Sequence, residues 1–306
     1  NRAGHLGISG ATFSPGMNRP QVFVLFTIDC ETAGRGSPLG PADWDVSGRV
    51  IDAFTTTVLN GGYLPTVLAT PEAADAHSPL FQDVPSGGGE VGLLIHPTTL
   101  RDTRHRGFLG GLPSAAQAET VRIAVDRYAG HLGRRPLTAR STHFSANDDT
   151  FAVLADAGFR QSSISSPGRV IAKHHARWDG AVRAPHFASA SSRLEVGHLP
   201  VLEIPVTTDD SQRRDGVAPE LRIETGTVPE WQAPLIRAQL ARQVDDRESH
   251  LVLVFVTTTR SPFHDRSDRV RQTLDALIEF LDELEEEFEM VPTTPSQLHR
   301  TIAGFA

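Results

Sequence analysis

Hydrophobic and polar residues alternate along the chain in blocks that predict strands separated by helices. Largely apolar runs at 22–28, 90–96 and 251–259 are typical of buried strands, because the strands of a parallel sheet are covered on both faces. Between them, residues 47–62 and 114–133 each begin with serine and end with glycine, which indicates helices. Strands that alternate with helices predict parallel βαβ units and therefore an α/β fold.

Weaker patterns add further elements of the same kind. Residues 63–70 and 201–207 are apolar enough for two more strands, and 147–159 predicts a helix with Asn147 as its N-cap. A last helix is predicted after residue 266, where apolar side chains recur at the spacing of one helix face: Val270, Leu274, Leu277, Leu281, Leu284 and Phe288. Seven or so such units close more easily into a barrel than into an open sheet, and barrel chemistry sits at the C-terminal ends of the strands.

The domain organisation is predicted to be simple. Residues 1–20 are rich in Gly, Ser and Pro and predict an irregular N-terminal arm. From residue 21 to residue 306 the sequence has no visible repeat or linker, so we expect one domain there.

Composition narrows the classes of function. The 306 residues carry a net charge of −8, which argues against a nucleic-acid binder. A single cysteine, Cys30, excludes an internal disulfide framework and a thiolate zinc cluster. An apolar run of membrane-spanning length and an apolar signal-peptide core are both missing from the sequence, so a cytoplasmic protein without a membrane span is expected.

Charged and polar residues stand at several predicted strand ends. Asp29 and Glu31 follow the first apolar run, His96 ends the third strand, and Arg140 ends a short strand-like stretch. Two neighbouring carboxylates repel, so they are stable together with a cation, an arginine or a shared proton. The alternative is that Asp29 only caps backbone amides at a loop start and that His96 is structural.

These side chains suit a metal site or an ion pair. An imidazole together with carboxylates suits zinc or a harder divalent metal. Arg140 could instead pair with Asp29 and keep it ionised, and His143 could face the same rim or only cover a helix start. The irregular stretch 164–198 is long enough to form a lid or a substrate wall.

Several segments together resemble a known family. The segments "FTIDCE", "GGEVGLLIHP", "VLEIPVT" and "LVLVFVTTTRSPF", with Arg140 followed by "FSANDDTFAVLADAGFRQSS", occur in the order and spacing of the NodB-homology polysaccharide deacetylases, carbohydrate esterase family 4. The chain is most similar to the branch whose first motif reads D-x-E, over roughly residues 21–300. The resemblance implies a distorted (β/α)7 barrel and a carbohydrate or sugar-like small molecule as substrate.

The resemblance also implies a divalent metal, usually zinc, that polarises an N-acetyl carbonyl and activates water. By position, Asp29 matches the general base and Glu31 the extra carboxylate of the D-x-E branch. His96 matches the second histidine of the metal motif, and Arg140 matches the arginine that orients the base. The implied metal ligands are Asp29, Glu31 and His96.

The sequence departs from the family pattern at several places. Leu94 stands where the first metal histidine is expected, and threonines at 257–259 stand where the final motif has its acid histidine. Thr142 and His143 replace the usual Gly-Arg. His143 or Glu31 could supply the missing ligand, and His143 or His264 the missing acid.

Three functions remain open from the sequence. The first is a metal-dependent hydrolase that removes an acetyl or other N-acyl group from a carbohydrate or sugar-like substrate. The second is a pseudoenzyme that kept the barrel as a binding module. The third is a repurposed pocket in which Asp29 is a proton-transfer base acting on a small molecule.

Overall fold

The structure is a computed structural model that describes residues 19–34, 39–213, 215 and 217–304. Nearly all of the predicted N-terminal arm, residues 1–20, therefore lies outside the described residues. The strands are β1 Gln21–Cys30, β2 Pro65–Ala69, β3 Glu90–Ile95, β4 Thr138–Ser141, β5 Gln161–Ser162, β6 Val170–Ile171, β7 Ala176–Arg177, β8 His186–Phe187, β9 Leu202–Glu203, β10 Leu251–Thr258 and β11 Glu289–Pro292. The helices are α1 Trp44–Asn60, α2 Pro71–Ala76, α3 Ser78–Asp83, α4 Ser114–Leu132, α5 Thr150–Asp156, α6 Ala233–Asp245, α7 Arg269–Glu283 and α8 Pro295–Ile302.

One curved sheet carries most of these strands, in the order β10-β1-β2-β3-β4-β5-β9-β8. All neighbours in this order are parallel except β8, which runs antiparallel to β9. On the edge of β1 opposite β10, β11 pairs with the beginning of the strand and β2 with its end. Parallel neighbours place the C-terminal ends of the strands at one rim, where the predicted site residues stand.

Residues 219–223 bridge the segment that follows β9 and strand β10 at the edge of this sheet. Leu221 N donates to Thr207 O at 3.0 Å, on the side of β9. On the other side, Val256 N donates to Leu221 O at 3.0 Å, and Ile223 N donates to Val256 O at 3.1 Å. These main-chain bonds close the curved sheet into a distorted barrel.

Alternate residues of β1 belong to two apolar cores. Val24 lies in the outer core between sheet and helices, together with Phe54 of α1. Phe23 and Leu25 lie in the inner core, inside the barrel, where they join Val254 of β10. Because side chains alternate between the two faces of a strand, β1 is apolar on both faces over this part of its length.

The inner face of β1 becomes polar towards the C-terminal rim. The next inward positions after Leu25 are Thr27 and Asp29, which both contact Arg140 of β4 inside the barrel. The barrel interior is thus an apolar floor with a polar layer above it.

The fold class predicted from the sequence is confirmed, and the differences have physical causes. β1 runs two residues beyond the predicted apolar run, because Asp29 keeps strand pairing with Thr258. Helix α6 was missed since a buried polar residue, Gln243, interrupts its apolar face. The Gln243 side chain bonds both the N–H and the C=O of Val252, at 2.7 and 3.1 Å. No helix within the described ranges is long and apolar enough to cross a membrane.

Candidate active site

Arg140 and Asp29 form a buried ion pair across the barrel interior. Arg140 is fully buried, and its Nη1 donates to Asp29 Oδ1 and to Thr27 Oγ1, each at 2.9 Å. Its Nε and Nη2 donate to Ser163 O and Oγ, at 2.8 and 2.9 Å. Burial raises the pKa of Asp29, while the charge and hydrogen bond of Arg140 oppose that rise. The arginine therefore holds the carboxylate in one orientation near the rim.

Glu31 and His96 form a second buried pair just above the first. Nδ1 of His96 lies 2.7 Å from Glu31 Oε2, and the Thr142 hydroxyl donates to Glu31 Oε1 at 2.7 Å. The exposed fractions of the Glu31 and His96 residues are 1% and 6%. An ionised carboxylate can only accept, so with Glu31 ionised the hydrogen of this contact is carried by Nδ1 of His96. This contact brings the ends of β1 and β3 together, as expected, and the hollow is the polar region at this rim formed by Asp29, Glu31, His96 and Arg140.

His143 reaches the same hollow from a strained turn. It has φ 58° and ψ 15°, and the next residue, Phe144, also has φ 58°. Left-handed backbone is uncommon outside glycine, and two successive residues in this region mark a turn held by its surroundings. The His143 ring centroid lies 4.0 Å from that of His174 and 5.2 Å from that of Phe108. Burial and the neighbouring His174 lower the pKa of His143 to about 4, against the opposing charge of Glu31.

Trp178 holds this turn in place. Its indole Nε1 donates to Phe144 O at 2.7 Å, and the side chain is fully buried. His174 and Trp178 both belong to the irregular stretch 164–198. That stretch therefore packs against the His143 turn, and its role as a lid or substrate wall stays a prediction.

A cluster of charged side chains that the sequence analysis missed completes the hollow. Arg169 and Arg222 both donate to the buried carboxylate of Glu220. Glu220 and Arg222 alternate with buried Leu221 and Ile223 in the sequence "ELRIE". That alternation is a strand signal of the kind that could have been recognised.

The threonines of the final motif support a loop instead of supplying an acid. The Thr257 hydroxyl, the Thr258 N–H and the Ser261 hydroxyl all donate to Glu224 Oε1, at 2.7, 3.2 and 2.6 Å. His264, weighed as a replacement acid, is exposed and lines a groove against α1. Of the two histidines weighed for this role, His143 is the one brought to the hollow.

The predicted metal ligands are engaged with their neighbours. Both oxygens of Glu31 accept hydrogen bonds, from His96 and Thr142, and Asp29 is bound by Arg140. Across the described ranges, no group of three or more His, Cys, Asp or Glu side chains is placed to hold a metal ion. The arrangement as it stands does not fit the expected ligand set, and ligation by Asp29, Glu31 and His96 stays a prediction from the sequence.

Comparisons with known proteins agree on the fold. No protein-family model matches the sequence, and no curated protein matches it. A candidate polysaccharide deacetylase from Mycobacterium smegmatis has a TM-score of 0.61 at 16% identity, over 96% of this chain and 94% of that one. A second candidate polysaccharide deacetylase, from Pseudomonas aeruginosa PAO1, has a TM-score of 0.60 at 13% identity, over 93% and 91%. An allantoinase has a TM-score of 0.59 at 14% identity, over 95% and 93%.

The fold and these structural likenesses define the fold class of the chain. The chain has the NodB-type distorted barrel of the polysaccharide deacetylases, as the sequence motifs predicted. At such identities the likeness is one of fold, and the chemistry must be argued from the side chains of this chain.

Proposed function

We propose that the protein is a hydrolase of the polysaccharide deacetylase type that cleaves an N-acyl carbon–nitrogen bond of a carbohydrate or sugar-like substrate by proton transfer. The 2.7 Å contact between His96 Nδ1 and Glu31 Oε2 is the observation that carries this proposal. It gives a buried imidazole a fixed tautomer and a carboxylate that stabilises its charged form. A histidine oriented in this way is suited to general acid–base catalysis.

In this proposal His96 moves the proton of the reaction. Its Nε2 accepts a proton from the attacking water, and the imidazolium is stabilised by Glu31. The same nitrogen then returns the proton to the departing nitrogen of the substrate. The hydroxyl of Thr142 keeps Glu31 in place through its second oxygen.

Asp29 supplies the second proton-handling group. It is buried, its pKa is raised by that burial, and Arg140 fixes its orientation. A carboxyl group whose pKa is raised is a better proton acceptor at neutral pH than an exposed one. Asp29 is therefore the group to hold or accept a proton from the substrate or from water.

The second candidate function is a binding barrel that has lost its catalytic activity, and Leu94 favours this candidate. This residue is fully buried and pairs with Arg140 of β4 at the level of the polar layer. An apolar side chain there contributes nothing to charge stabilisation. A barrel that only binds sugar would keep the hollow but show no turnover.

The test measures product release and metal content in the same preparation. The purified chain is incubated with N-acetylated sugars and chitin oligosaccharides, and with allantoin because the fold is shared with an allantoinase. We expect acetate or another acyl product at a rate that resists chelation, without stoichiometric metal by elemental analysis. A bound metal with chelator-sensitive turnover would support the metal-dependent mechanism instead. Sugar binding without turnover would support the binding module.

Two variants make the test specific. His96→Ala is expected to abolish turnover, because it removes the proton-transferring ring. His105→Ala is the matched control, since His105 also contacts a glutamate, Glu119, at 2.9 Å but lies towards the surface. Equal turnover in both variants would overturn the assignment of His96.

A further inference from the structure

Arg169 and Arg222 share one buried carboxylate. Arg169 Nη2 donates to Glu220 Oε1, and Arg222 Nη2 donates to Glu220 Oε2 at 3.1 Å. Glu220 is 5% exposed and also accepts from the Ser166 hydroxyl at 3.1 Å. Two guanidinium groups against one carboxylate leave this cluster with one unbalanced positive charge.

The carboxylates of Asp29, Glu31 and Glu224 accept hydrogen bonds from other groups, and Glu224 does so through Oε1 from Thr257 and Ser261. Asp29 is bound by Arg140, and Glu31 is bound by His96 and Thr142. Within the described part of the chain, none of these carboxylates accepts a hydrogen bond from Arg169 or Arg222.

Main-chain pairing fixes the position of Arg222. Glu220 pairs with Thr208 on one side, and Arg222 pairs with Val256 of β10 on the other. Val256 lies two residues before Thr258 in β10, and Thr258 is the strand partner of Asp29. Arg222 thus lies at the polar layer beside Asp29, and its positive charge lowers the pKa of that carboxyl, against the larger effect of burial.

The positive charge of the cluster formed by Arg169, Arg222 and Glu220 is poorly compensated by its surroundings. Burial and the neighbouring Arg222 lower the pKa of Arg169 to about 9. The Phe144 ring lies 5.0 Å from the Arg169 guanidinium carbon, which gives a cation–π contact but no negative charge. The Arg222 side chain is 27% exposed, so it is accessible to a ligand. An anion that binds here would relieve the repulsion between the two arginines.

We propose that Arg222, supported by Arg169, binds a carboxylate group of the substrate beside Asp29. This inference rests on the proposed function, and it names the substrate class as an acidic N-acyl sugar or a similar compound. A planar guanidinium matches a carboxylate through two parallel hydrogen bonds. One unbalanced positive charge suits a singly charged carboxylate better than a doubly charged phosphate, since Asp29 and Glu31 lie close by.

The test compares two sugars that differ by one carboxylate. N-acetylglucosaminuronic acid and N-acetylglucosamine are titrated into the full chain by isothermal titration calorimetry. We expect the acidic sugar to bind about tenfold more tightly, a difference that shrinks as salt is raised. Arg222→Gln is expected to bring the two affinities together. Arg237→Gln is the matched control, because Arg237 pairs with Glu287 outside the hollow, and it should leave the preference unchanged.

Several results would overturn the inference: equal affinities in the unaltered chain, a preference that survives Arg222→Gln, or no binding of either sugar. Circular dichroism checks that the variants fold, and Arg222→Lys serves if the glutamine variant does not. The lysine variant keeps the charge but not the paired hydrogen bonds, so a reduced preference is expected and an unchanged one contradicts the assignment. Because binding is measured without turnover, an acidic preference in a chain that hydrolyses nothing would refute the proposed function alone.

Discussion

Glu31 and His96 are 65 positions apart in the sequence, yet their side chains meet at 2.7 Å inside the barrel. β2 lies between β1 and β3 in the sheet, so the contact crosses the hollow above an intervening strand. Because both side chains are buried, the pair is stable only while each partner satisfies the other. We therefore expect the same contact to matter both for stability and for the proposed catalysis.

Replacing His96 tests this contact. His96→Ala leaves the buried Glu31 carboxylate without one of its donors, and should lower the free energy of unfolding by about 1–3 kcal/mol. Urea denaturation measures the change. His105→Ala, which breaks a more exposed histidine–glutamate contact, should lower the free energy of unfolding by less than His96→Ala does. Equal losses in the two variants would contradict a special role for the buried pair.

Arg140 and Asp29 are expected to be strongly coupled. Arg140→Met removes every hydrogen bond of a fully buried guanidinium and strands Asp29, at a cost of about 3–5 kcal/mol. Asp29→Asn in the same chain should recover part of this loss, because no buried charge is then left unpaired. A double-mutant cycle measures the coupling, and additive effects would show that the ion pair contributes nothing.

Trp178 is expected to stabilise the strained turn. Trp178→Phe keeps an aromatic ring but removes the N–H that binds Phe144 O, and should cost about 1–3 kcal/mol. Turnover should fall as well, since this turn carries His143 near the proposed catalytic pair of Glu31 and His96. Trp231→Phe is the control, because the indole nitrogen of Trp231 is buried without a hydrogen-bond partner in the described part of the chain. A control variant as unstable as Trp178→Phe would point to ring size instead of the hydrogen bond.

Stability should depend on pH through His143. Its pKa is about 4 in the folded chain, below the ordinary histidine value of 6.5 that applies to the unfolded chain. Between these two values the unfolded chain binds a proton that the folded chain does not. The neutral His143 ring therefore makes its full contribution to the free energy of unfolding above about pH 6.5. This contribution is lost as the pH falls towards 4.

A single substitution at this position separates the effect of the ring from that of the turn. Asparagine tolerates positive φ, so His143→Asn should keep the turn and lessen the loss of stability in acid. The free energies of unfolding of the unaltered chain and of His143→Asn at pH 7 and pH 4.5 measure the effect. An equal loss of stability between the two pH values in both proteins would refute it.

The elements of this protein that could be predicted from the sequence are those with a regular pattern of apolar residues. Apolar runs predicted β1, β3 and β10, and the position of polar residues at their ends predicted that Asp29, Glu31 and His96 would approach one another. Helix α7 buries Leu274, Leu277 and Leu281 on the face that their spacing indicated.

The remaining parts depend on contacts that no local pattern encodes. Arg169 and Trp178 lie in an irregular stretch, where neither strand nor helix periodicity places a side chain. Their partners, Glu220 and Phe144, are 51 and 34 positions away. Whether Glu31 would bind a metal or a histidine also could not be read from residue types, because carboxylate and imidazole suit both.

The dependence of the His143 turn on Trp178 has a consequence for how the site can evolve and mature. The indole of Trp178 donates to Phe144 O, so the turn depends on a side chain that lies outside the strands of the barrel sheet. The position of His143 is therefore set in part by a segment, residues 172–178, that contains no acidic residue. Insertions or exchanges in that segment can retune the hollow while the barrel beneath it stays the same.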